Sequence, residues 1–172
     1  MRPELKYGLW AALVLCSWTL LEFALGCHTT RLGLGQYTNW GTEAIFAVML
    51  YRLMQQRLAS LQRYWLPVWE AMLYGLLASL VAALVFYIFL NFYKFFLNPS
   101  WLDLQLEWKV ARLRAAGTAE PEIREQLAIL RLAYTPVGLA MFVPLYALGG
   151  AAFSAVVSLW LNWRHKEISS AG

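Results

Sequence analysis

Residues 71–93, AMLYGLLASLVAALVFYIFLNFY, carry no charged side chain. At about 1.5 Å of rise per residue, a helix of this length exceeds the roughly 30 Å hydrocarbon core of a bilayer. A backbone in lipid must satisfy its own amides and carbonyls, and a single helix does so by itself. Residues 136–163, PVGLAMFVPLYALGGAAFSAVVSLWLNW, repeat the pattern. A third apolar run, 7–25, is interrupted only by Glu22. A fourth and weaker run, 32–53, has Glu43 near its start and Arg52 near its end. The alternative for this fourth run is a re-entrant or surface helix. The reading is an all-α integral membrane bundle of four transmembrane helices forming one domain, with spans near 6–27, 38–56, 68–97 and 136–163. An extramembrane amphipathic helical hairpin, near 99–134, is expected between spans three and four.

Composition agrees. Of 172 residues 60% are hydrophobic and 14% charged, against about 25% charged in soluble domains. The net charge of +4 does not indicate nucleic acid, because no basic patch with stacking aromatics accompanies it. Cys16 and Cys27, on one span, would stand about 16 Å apart, beyond disulfide reach. The stretch ALGC before His28 loosely resembles a lipoprotein cleavage site. Glu22 interrupts the apolar region just ahead of it, so the segment is read as the first span.

Orientation follows from basic residues in short connections. Arg52, Arg57 and Arg63 lie between spans two and three, Arg2 and Lys6 precede span one, and Arg164 and Lys166 follow span four. Four spans put all of them on one side, so the positive-inside rule places both termini in the cytoplasm.

Between spans three and four the chain reads as two short helices joined at AAGTAEPE. Gly117 suits a left-handed helix C′ position and Thr118 an N-cap, with Glu120 and Glu122 in the next first turn. Pro99 and Ser100 can open the first helix. Its residues Leu102, Leu106, Val110 and Leu113 form one apolar stripe, and Trp101, Leu104, Trp108 and Ala111 a second. Ile123, Leu127, Leu130 and Tyr134 share a face of the other helix. One stripe can bury against the partner helix. The second needs lipid headgroups, the tops of the spans or another protein, which makes Trp101, Leu104 and Trp108 candidates for a partner surface.

A KYGL opening into the first span, basic residues after the second and a long third span are three elements of a wider pattern. An amphipathic pair turning at AGTAEPEI and a proline-led fourth span followed by glycine complete it. Together they resemble the bacterial membrane family catalogued as domain of unknown function 4199. The resemblance covers essentially the whole chain and implies a four-span bacterial membrane protein; it carries no catalytic signature, and the expected location is the bacterial cytoplasmic (inner) membrane.

Lipid gives no hydrophobic push between helices, so close packing relies on small residues. Gly75, Ser79 and Ala83 continue a step of four from Ala71, and Gly150, Ser154 and Ser158 line the fourth span. Pro144 is expected to kink that span or interrupt its ladder. FYIFLNFYKFFLNPSW and WLNWRHK read as interfacial aromatic belts, with Lys94 reaching the headgroups along its stem.

The membrane carboxylates are the sharpest functional question. With the termini inside, Glu22 and Glu43 can share a depth near the outer surface, with His28, Arg31 and Tyr37 between them. A charge there should face a polar partner or water. The simple reading is a pinned loop; the functional one is a proton- or ion-handling site. No tight spacing supports a metal at His28. Glu70, Arg52 and Arg63 are expected to pair at the inner face. GLGQYT follows no strand and is read as a loop, and no HExxH, GxSxG or phosphate-loop pattern occurs. No cofactor and no catalytic residue is indicated. The expected function is therefore a non-catalytic accessory or scaffolding subunit, or a self-associating bundle, with lipid and a protein partner or second copy as its contacts. The alternative is a small proton- or ion-coupled transporter.

Overall fold

The computed structural model describes residues 2–63 and 65–170; the side chains of Gln36, Asn39 and residues 165–170 fall outside that description, among them the interfacial His165 and Lys166. Among the described residues the chain is helical, without strands. The elements are α1 (Pro3–Ala24), α2 (Leu32–Leu61), α3 (Val68–Phe92), α4 (Trp101–Ala115), α5 (Glu120–Ala133) and α6 (Pro136–Ser170). A π-helical turn, Tyr93–Leu97, extends α3 to its end.

The four long helices close a ring. The most extensive contact is α3 against α6, followed by α1 against α3 and α1 against α2, and α2 meets α6. Small residues make the tightest crossing possible. A Cβ on Gly75 would come 2.6 Å from the Gly150 carbonyl and would overlap Ser154, and one on Gly150 would fall on Ser79. Gly8 of α1 meets α3 in the same way, 2.6 Å from the Ala78 carbonyl. Ser79, Ser154 and Ser158 are fully buried. Ala83, expected in the same seam, is only half-buried; Ala82 takes its place at 1% exposure. The reason is helical pitch: at about 3.6 residues per turn, three steps of four drift a third of a turn, whereas Ala82 returns near the direction of Ala71.

Large apolar side chains point outward instead. Leu84, Ile88, Met141, Leu148, Val156 and Trp163 are all exposed. In water, contiguous apolar patches beyond a few hundred Å² are rare on monomers; this interior of small residues inside an apolar exterior suits lipid. Three helices are long and apolar enough to cross a membrane: Pro3–Ala24, Val68–Leu97 and Pro136–Arg164. Helix α2 has 30 residues but is not among the three, since Glu43, Arg52, Gln55, Gln56 and Arg57 dilute it.

Two local expectations change. GLGQYT belongs to the first turns of α2 and not to a loop. Glycine costs a helix about 1 kcal/mol relative to alanine, but at Gly35 the bare backbone lets the Cys27 carbonyl approach within 2.7 Å of where a Cβ would sit. Thr118 does not cap α5; Ala119 occupies the N-cap, without a side-chain bond. Helix α6 continues through Pro144, whose ring nitrogen has no N–H to give the ladder. Gly117 has φ +75°, the left-handed geometry expected after α4.

Candidate functional site

The polar residues collect at the two ends of the bundle and on one lateral face. At the end where α1 stops, Gly26 turns the chain at φ +78°, and its carbonyl accepts from the amides of Thr29, Thr30 and Arg31. This tight turn carries His28 inward. Its Nε2 lies 3.4 Å from Glu22 Oε2, and its Nδ1 lies 2.7 Å from the Tyr93 hydroxyl. Asn98 Nδ2 donates to the same hydroxyl at 3.0 Å. The network is self-consistent with the imidazole proton on Nε2, facing the carboxylate, and Tyr93 donating to Nδ1 while it accepts from Asn98.

The π turn explains why Tyr93 can join. The Asn98 amide donates five residues back to the Tyr93 carbonyl at 2.8 Å, and Tyr93 is fully buried. Rings enclose the chain: Trp101 stands 5.8 Å from His28, 6.1 Å from Tyr93 and 5.0 Å from Tyr134, and Phe23 meets Tyr93 edge-on. Trp18 and Thr38 flank the Glu22 carboxylate. Lys94 donates from Nζ to the Tyr134 carbonyl, satisfying a backbone acceptor just past the end of α5.

At the other end, Glu4 pairs with Arg57, whose guanidinium lies 4.3 Å from the Tyr74 ring centroid. Arg63 meets Glu70 at 3.5 Å. The connection between α2 and α3 is held to α6 through Leu66: its amide donates to Asn162 Oδ1 at 3.0 Å, and its carbonyl accepts from Ser158 at 2.7 Å and Asn162 at 2.9 Å.

On the lateral face, the Tyr146 hydroxyl of α6 donates to Glu43 Oε1 of α2 at 3.4 Å. The pair borders an open cavity of about 580 Å³ between these helices. A deeper, largely apolar pocket of about 190 Å³ adjoins it.

Of the predicted polar cluster, Glu22 and His28 therefore come together, Glu43 joins Tyr146 and Arg31 stands exposed at the N-cap of α2. Of the predicted inner pairing, Arg63 and Glu70 meet; Arg52 is exposed and belongs to neither pair among the described residues. Trp101 is packed within the chain and is not a free surface, whereas Leu104 and Trp108 remain half-buried on α4. Among the described residues no three His, Cys, Asp or Glu side chains converge as metal ligands. Tyr93 and Asn98 escaped the sequence reading because both sit within an aromatic belt. Asn98 immediately before Pro99 was the available signal, a polar side chain closing an apolar run.

Helices α4 and α5 contact one another. Arg114 Nε donates to Glu120 Oε1 at 2.7 Å across their turn. The Arg114 hydrogen bond holds the Glu120 carboxyl below its ordinary pKa, and Glu120 raises that of Arg114. The pair is fully in solvent, where screening leaves it little weight.

Small-residue seams within an apolar exterior, closed by polar pins at either end, define a helical membrane protein. The family model described as "Protein of unknown function (DUF4199)" matches residues 6–162, and the chain belongs to that family. Among curated proteins and solved structures, none matches.

Proposed function

We propose that this chain is a non-catalytic, four-span protein of the bacterial cytoplasmic membrane, acting as an accessory or scaffolding subunit of a larger complex or as a self-associating bundle. Helix α2 is the fourth span in this reading, both termini face the cytoplasm, and the α4–α5 pair stands outside the membrane. The observation that supports it is the use made of the buried polar groups. Glu22, His28, Tyr93 and Asn98 tie one end of the bundle together; Glu4, Arg57, Ser158 and Asn162 tie the other. Each is engaged in holding helices and connections, the Tyr93 hydroxyl on His28 included, and that hydroxyl is fully buried.

The contact surface is the outer side of the α4–α5 pair. Trp108, Ile129 and Leu130 line a cleft of about 360 Å³ there, and Ile129 and Leu132 are more than 60% exposed. Apolar side chains left in this position on a helical pair are what a partner helix covers. The transporter alternative stands second, because its two carboxylates are engaged apart from one another, Glu22 with His28 and Glu43 with Tyr146.

Extraction of native membranes into nanodiscs, followed by mass spectrometry, tests the reading. The expected result is a stoichiometric companion, either another subunit or a second copy. Its loss in Ile129→Glu, with the helical content unchanged, would place the contact on α5. Chains recovered only as monomers without a companion overturn the proposal.

A further inference from the structure

The acids on the long helices differ in their partners. Glu4 faces Arg57, Glu22 faces His28 and Glu70 faces Arg63. Glu43 has no ion-pair partner among the described residues; its partner is the Tyr146 hydroxyl at 3.4 Å. This carboxylate borders a cavity of about 580 Å³ whose other walls are mainly aromatic and glycine, including Phe46, Phe142, Gly149 and Phe153. That volume falls in the range of small-molecule sites, roughly 300–1,000 Å³. Phe46, Phe142 and Tyr146 also line the deeper apolar pocket, so the two spaces share a wall.

We propose that the cavity between α2 and α6 is a binding site for a lipophilic monovalent cation, with Glu43 supplying the counter-charge. Glu43 is itself exposed at the rim of the cavity, where its charge attracts a cation, the more so as apolar walls displace water around the guest, and makes an anion unfavourable. A neutral guest would leave it unpaired. A small hydrated metal ion is a poor fit: such ions take six or more oxygen ligands, and Glu43 and Tyr146 offer few. A large cation whose charge is spread over an apolar body loses little hydration on entry, meets ring faces that attract positive charge and places its body against the phenyl walls. The site does not depend on the accessory role proposed above.

The test is equilibrium dialysis of the purified full-length chain, in a neutral maltoside detergent, against radiolabelled tetraphenylphosphonium. Saturable binding at one site per chain is expected. It should weaken about tenfold or more, the equivalent of losing about 1.4 kcal/mol, in Glu43→Gln. Gly149→Phe should weaken it similarly while leaving the carboxylate in place, since a Cβ at Gly149 meets open space and the new ring enters the cavity. If one variant does not fold, the other decides. Titrated dodecyltrimethylammonium, a second lipophilic cation, should compete, whereas displacement by zwitterionic phosphatidylethanolamine would assign the space to lipid and overturn the proposal. No saturable binding by the native chain, as when a second copy covers the cavity, overturns it. So does binding that survives both substitutions.

Discussion

Gly75 and Gly150 are where single atoms decide the packing. Neither has a positive φ; they are glycine because another backbone or side chain occupies the space of a Cβ. The hydroxyls of Ser79 and Ser154 are buried at this crossing without hydrogen-bond partners among the described residues, so serine serves here through its small size. Gly150→Val forces three heavy atoms onto Ser79 and should destabilise the bundle by about 1–3 kcal/mol, the usual cost of overpacking. The midpoint of unfolding in mixed sodium dodecyl sulfate micelles reads this out. Gly149→Ala, one residue away and facing open space, should leave the midpoint unchanged.

Among the elements, the π turn at the end of α3 and the turn after α1 depend on each other. Tyr93 is carried to His28 by the five-residue hydrogen bond, and His28 is held beneath it by Gly26. His28→Ala leaves the Tyr93 hydroxyl with Asn98 alone and the Glu22 carboxylate without its imidazole. A cost of about 1–3 kcal/mol is expected, as for a buried group deprived of its partner. Hydrogen exchange should quicken across residues 93–101 and 25–31 while the amides of the α3–α6 seam keep their protection. Unchanged exchange in both segments would show that the pin contributes nothing to order there.

At the scale of the whole molecule, the end contacts determine how α2 lies. It begins beside the end of α1, where Cys27 meets Gly35, and finishes beside the start of α1, where Arg57 meets Glu4. It therefore runs the length of α1 in the opposite direction, although its composition is less apolar than that of the other three long helices. Its polar cost is offset by that pairing and by the Tyr146 bond to Glu43. Reporter fusions follow from this: positions in 62–67 and both termini should report one side, and positions in 28–31 and at Gly117 the other. Reporters at 28–31 and 62–67 on the same side would mean that α2 does not cross.

Much of this was legible in the sequence. The charge-free runs specify long helices because lipid offers a backbone no other partner, and the step of four between small residues marked faces for close packing, though not that those of α3 and α6 meet. Gly117 marked the end of α4 through the left-handed geometry it tolerates. The pairings were not legible. Glu22 and His28 are neighbours in sequence, but Tyr93 reaches His28 from 65 residues away through a π turn whose register no periodicity announces. Arg57 finds Glu4, and Glu43 finds Tyr146 across 103 residues, because of which helices adjoin in the ring. The sequence by itself determined the helices, their apolar exteriors and the membrane class, since these depend on local composition and pitch. Only the tertiary structure decided which polar groups meet, because a hydrogen bond or ion pair requires a direction and a few ångströms of separation that sequence distance does not encode.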